Sequence, residues 1–129
     1  MRTTAEIREW RVNNPGQRLV LEGADLRGAN LRGAYLRGAY LQGVIGLYFP
    51  SLMDPRGYTS YVKLVAGSLL WGAGCRLLTL EEAAAHWGEA YDGERAIGDR
   101  YVRAIRDLRT DTGFIQWLMK EQAAQRATE

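Results

Sequence analysis

The sequence predicts an α+β chain. Three observations lead there. A leucine stands at every fifth position from Leu21 to Leu41, residues 58–78 carry strand-like apolar runs, and residues 79–129 carry apolar residues at helical spacing. The periods differ, so the chain changes architecture along its length. It reads as a single domain in four parts: a capping helix and turn (1–18), a coil (19–46), a turn and β-hairpin (47–78) and a helical part (79–129).

The coil follows from "LEGADLRGANLRGAYLRGAYLQG", residues 21–43. Steps of five scatter Leu21, Leu26, Leu31, Leu36 and Leu41 around an α-helix and send them to alternate faces of a strand. Ala24, Ala29, Ala34, Ala39 and Val44 form a second series, and Gly23, Gly28, Gly33, Gly38 and Gly43 a third. A short extended piece followed by a tight turn satisfies all three. Leucine and alanine then point inward, and glycine supplies the corner.

These units resemble the pentapeptide-repeat family, whose pattern is Ala, then Asp or Asn, then Leu, then two variable residues. "ADLRG" and "ANLRG" fit it; "AYLRG" and "AYLQG" depart at the second place. The resemblance covers residues 19–45, about a fifth of the chain. It implies about one coil of a right-handed quadrilateral β-helix, four pentads to a turn, with a helical cap in front. Stacked repeats need about three units for stability, so a lone coil must be covered. Either the rest of the chain or a second subunit does so.

"TTAEIREWRVNNPG" predicts that cap, with Thr3 and Glu6 as a capping box and Asn14-Pro15-Gly16 as the stop. Ile7, Trp10 and Val12 are expected at the mouth of the coil. After the break at Phe49-Pro50, "DPRG" (54–57) signals a turn. "YTSYVKLV" and "LLWGAGCRLL" then read as a β-hairpin joined at "AGS". In its second strand Leu69, Trp71, Ala73, Cys75 and Leu77 share a face, and Gly72 and Gly74 mark close approach of another backbone.

Thr79 and Glu82 form a second capping box, opening a helix over "LEEAAAHWGEAY" with Leu80, Ala83, Ala84, Trp87 and Tyr91 inward. Ile97, Tyr101, Ile105 and Leu108 define the next helix. "FIQWLMKEQAAQ" defines the last, with Phe114, Trp117 and Leu118 inward. The segment 54–108, with its "GC" and its helix ending in "HW", resembles a module in small phage and prophage proteins of unknown function. That resemblance implies a mobile-element origin and brings no activity.

Composition narrows the function classes. The chain has 129 residues, one cysteine and one histidine, which excludes an internal disulfide and a cysteine-rich zinc site. No metal and no cofactor is expected. Neither a signal peptide nor a membrane span is expected either, so the default is the cytoplasm, the host's if the chain is phage-encoded. Charge is uneven: residues 1–78 carry +5 and residues 79–129 carry −3.

The main expectation is a non-enzymatic interaction protein that binds a host protein or an anionic small molecule, such as a nucleotide signal in host defence. Arg27, Arg32, Arg37, Tyr35 and Tyr40 are its candidate ligand residues, since arginine with tyrosine suits a phosphate and a stacked base. Duplex-DNA mimicry, known for long pentapeptide-repeat proteins, is excluded by charge and length. Direct nucleic-acid binding is disfavoured, because arginines five apart turn to successive sides of the coil. Self-association, most simply as a dimer, is expected through Ile45, Leu47, Tyr48, Phe49, Ile115 and Met119. Two alternatives stand: a thiol enzyme using Cys75, His86 and Glu82, and an assembly component of a phage particle.

Overall fold

The computed structural model describes residues 3–27, 31, 36, 39–73 and 76–127. Helix α1 spans Thr4–Asn13. Thr3 accepts a hydrogen bond from the Glu6 N–H at 3.1 Å, and the Asn14 side chain returns to the Trp10 carbonyl at 2.8 Å. The stop falls where expected, and of the expected capping box the Thr3 side-chain bond to the Glu6 N–H is present. Ile7 is buried, but Val12 is 74 % exposed and contributes nothing to the coil mouth. It stands five residues from Ile7, outside the spacings of three and four that share a helix face.

In the repeat segment the described backbone is joined by two isolated parallel bridges, Val20 with Tyr40 and Asp25 with Ile45. Each spans twenty residues, the length of four pentads. Leu21 N–H donates to the Tyr40 carbonyl and Tyr40 N–H to that of Leu19, both at 2.9 Å. Leu26 and Ile45 N–H groups repeat this at the next wall, each at 2.8 Å. No regular strand runs through the segment among the described residues, and the expected β-helix is not seen there; turns at 22–23 and 42–43 interrupt the extended pieces and leave only isolated bridges. Leu21, Leu26, Leu31 and Leu36 are buried, and Leu41 and Ala39 pack against them. Ala29 and Ala34 lie outside the described residues.

The expected hairpin is a three-stranded antiparallel sheet in order β1 (Ser60–Val65), β2 (Ser68–Ala73), β3 (Arg76–Thr79). "LLWGAGCRLL" is therefore two strands, not one. Ala73 pairs with Arg76 and Trp71 with Leu78, so the second half of that stretch runs back along the first. That reversal puts Leu77 opposite Gly72, away from the face of Trp71. A turn at Ala66-Gly67, both with positive φ, joins β1 to β2, as a two-residue hairpin requires.

The register sorts the sheet into two faces. Tyr61, Gly72 and Leu77 lie in one row across it; Tyr61 and Leu77 join the core built from Ile7, Leu19 and the coil leucines. Val62, Trp71 and Leu78 lie in the next row and join a second core with the helices. The sheet is thus a shared wall. On one face it packs Tyr61 and Leu77 against the repeat leucines from within the same chain.

Helix α2 (Leu80–Trp87) carries the complete Thr79–Glu82 capping box and stops at Trp87, short of the expected end. Gly88 ends it, and Tyr91 falls in the following loop instead of on the helix. Arg95 fastens this stop by donating to the carbonyls of Trp87 and Gly88. Helix α3 (Arg95–Asp107) buries Ile97 and Tyr101, and a 3-10 turn over Leu108–Thr110 leads to α4 (Thr112–Ala127). Asp111 opens α4 by accepting from the Phe114 N–H at 3.0 Å. Its other carboxylate oxygen accepts from the Tyr48 hydroxyl, and burial with that bond raises the Tyr48 pKa to about 12.

Candidate functional site

A groove of about 590 Å³ opens on the helical side of the sheet. Its walls come from the loop after Asp54, the facing ends of β2 and β3, the last turn of α2 and the loop that follows. Local chemistry fixes each wall. Asp54, in the "DPRG" turn, is fully enclosed at its side chain and holds the Arg56 guanidinium in a two-point ion pair at 3.0 and 2.7 Å. It also accepts from the Arg56 backbone N–H at 2.8 Å and from the Tyr101 hydroxyl at 2.6 Å. Burial alone would raise the Asp54 pKa; the bonds from Arg56 and Tyr101 outweigh it and hold the group below its ordinary range.

Arg56 is fixed from behind and still 42 % exposed at its side chain. Its guanidinium lies 5.0 Å from the centre of the Tyr58 ring and makes only a 3.5 Å contact with the Tyr91 hydroxyl. Arg76 stands on the β3 side of the groove and has no acidic partner among the described residues. The floor is Trp87 stacked on Tyr101, ring centres 4.2 Å apart at 12°. His86 packs edge-on to Tyr91 at 6.0 Å. Burial, then the neighbouring Arg76, lower its pKa, and Asp92 partly opposes them. A neutral imidazole, two guanidinium groups and several ring faces thus line one cleft. The cleft suits a flat molecule bearing negative charge.

The sequence-derived candidates are distributed differently. Arg32, Arg37 and Tyr35 lie outside the described residues. Arg27 is bound by Asp25 at 3.0 and 2.7 Å, and that bond raises its pKa. Tyr40 lies beneath the Arg18 guanidinium, 4.5 Å from the ring centre. Arg27 instead borders a second groove of about 620 Å³ between the coil and α4, with Lys63, Glu121 and Gln125. Cys75 also lies outside the described residues. Glu82 is engaged with Thr79, accepting from its backbone N–H at 2.9 Å, and this lowers its pKa. It serves the helix cap and makes no hydrogen bond to His86.

Of the expected self-association residues, Leu47 is buried in the first core and Phe49 packs against it. Tyr48 packs against Phe114 and Trp117. These three are taken up within the chain; Ile45, Ile115 and Met119 remain exposed. Sequence reading missed Arg56, Tyr58, Arg76 and Asp92. Only the "DPR" turn hinted at them, because an aspartate two residues before an arginine is a frequent local clasp.

The family model described as pentapeptide repeats (8 copies) matches residues 17–45. The match coincides with the bridged segment and stops before the sheet. No curated protein and no solved structure matches the chain significantly. Among the described residues no helix is long and apolar enough to cross a membrane, and no group of three or more His, Cys, Asp or Glu residues could hold a metal.

Proposed function

We propose that this chain is a non-enzymatic binding protein that captures an anionic small molecule in the groove of Arg56, Arg76 and His86. The carrying observation is Arg76, a cation at the groove without an acidic partner among the described residues, which lines it together with Arg56, a second cation already fixed by Asp54. Arginine held this way loses little freedom on meeting an anion. The repeat segment is the scaffold. On this reading its twenty-residue bridges mark one turn of a right-handed quadrilateral coil, packed by α1 and by the sheet.

The coarser statement rests on the repeats, whose family often serves non-enzymatic interaction. A phage or prophage origin and a role against host defence, in the host cytoplasm, remain part of the proposal. Self-association through Ile45, Ile115 and Met119 does so too, although the coil does not require it. Native mass spectrometry of protein purified from its natural host tests the reading, since it reports retained ligand and stoichiometry together. A bound anion supports it. A spectrum with neither ligand nor partner, under conditions that preserve known complexes, sinks it.

The thiol-enzyme alternative has less support, because Glu82 is committed to its cap. Rapid labelling of Cys75 near neutral pH under native conditions would revive it. A phage-assembly role would show as co-purified structural protein instead of a small molecule.

A further inference from the structure

We propose that the ligand of this groove is a nucleoside-monophosphate-like molecule, a planar base joined through a hydroxylated linker to a phosphate; the inference rests on the anion-binding reading above. Three features of the lining act together. Arg56 and Arg76 supply positive charge, and the Arg56 guanidinium is oriented in advance by its two bonds to the enclosed Asp54. Tyr58, 51 % exposed, and Tyr91 supply ring faces on which a base can stack. Asp92 is the carboxylate exposed on the lining. It repels a phosphate and accepts hydrogen bonds from hydroxyl or amino groups.

The lining thus offers both charges: a phosphate would meet the arginines, and hydroxyl or amino donors would meet Asp92. Inorganic phosphate would use only the arginines, and an uncharged nucleoside would forgo them. The volume of about 590 Å³ lies in the ordinary range for small-molecule sites and exceeds what a lone oxyanion fills.

Titration calorimetry of the full chain at physiological ionic strength, with adenosine 5′-monophosphate, adenosine and inorganic phosphate as probes, tests this. The monophosphate is expected to bind at least about tenfold more tightly than either fragment. Arg76→Ala, at an exposed position, should weaken it about tenfold while leaving the melting temperature and the weak affinity for adenosine unchanged. Asp92→Asn should weaken adenosine and leave inorganic phosphate unaffected or tighter. Absence of saturable monophosphate binding at millimolar concentration overturns the inference. So does equal affinity for the monophosphate and inorganic phosphate, or an Arg76→Ala variant that binds as the parent does. The first two outcomes leave the broader binding reading to the native mass spectrum, which supports it by showing some other retained anion; an Arg76→Ala variant that binds as the parent does counts against both.

Discussion

The ring of Tyr61 lies directly over Gly72 on the neighbouring strand, so close that a Cβ at residue 72 would overlap it. The missing side chain makes room for the tyrosine, and the tyrosine covers the bare backbone. Because Tyr61 belongs to the coil-side core, the pair is one place where the sheet grips the repeats. Gly72→Ala should cost about 1–3 kcal/mol through overpacking. Combining it with Tyr61→Leu should recover part of that loss. Urea unfolding of the two single variants and the double variant checks the coupling, and strict additivity would contradict the contact.

Asp54 makes stability pH-dependent. Its folded pKa is held below the unfolded value by Arg56 and Tyr101, so the unfolded chain binds more protons as pH falls. The contribution is complete above the ordinary carboxylate range, about pH 5 and higher, and disappears as pH drops through the folded pKa. Asp54→Asn should flatten the acid limb of a melting-temperature profile. It should also cost about 1–3 kcal/mol near pH 7, because the buried Tyr101 hydroxyl and Arg56 lose their charged acceptor. An unchanged acid limb would count against the assignment.

Leu31 is 3 % exposed in the coil core. Leu31→Ala should destabilise the protein by about 2–5 kcal/mol, the range for a large-to-small change at a site that cannot collapse. Thermal and urea unfolding measure it. A loss well under about 1 kcal/mol would mean that the coil core is not under packing constraint.

The Thr79–Glu82 box predicts a smaller and more local effect. Thr79→Ala should cost about 1 kcal/mol by freeing the Glu82 N–H. Glu82→Ala should leave the reactivity of Cys75 toward a thiol reagent unchanged, because that carboxylate serves the cap. A reactivity change at constant stability would instead tie Glu82 to a catalytic group.

What the sequence disclosed was local. The starts of α1 and α2 are legible from threonine and glutamate three apart, and the buried leucines from their five-residue period. The third strand was not, since "GAGC" carries no signal that separates a turn from a glycine-rich strand. The spacing of Tyr91 suits a helix, whereas Gly88 ends α2 first. The groove was hidden for a different reason. Asp54 meets Tyr101 across 47 residues, and Tyr48 meets Asp111 across 63. Such pairings follow from how the sheet and helices pack, which no window of sequence contains. The arginines of the repeats stand out in the sequence because they recur. Arg56 and Arg76 occur once each and become neighbours of one cleft only in three dimensions.

The bridges from Val20 to Tyr40 and from Asp25 to Ile45 share one offset of twenty residues, and on the proposed quadrilateral coil this makes the length of the repeat segment quantised. Inserting four pentads would return the backbone to the same wall and deliver Leu47 to the sheet in its present orientation. Inserting a single pentad would, on the quadrilateral reading, rotate the exit by a quarter turn and present the wrong side of the coil to Tyr61 and Leu77. Growth and loss of repeats in such a scaffold should therefore proceed by whole circuits. A twenty-residue insertion that folds beside a five-residue insertion that does not would show that arithmetic at work, and equal tolerance of both would refute it.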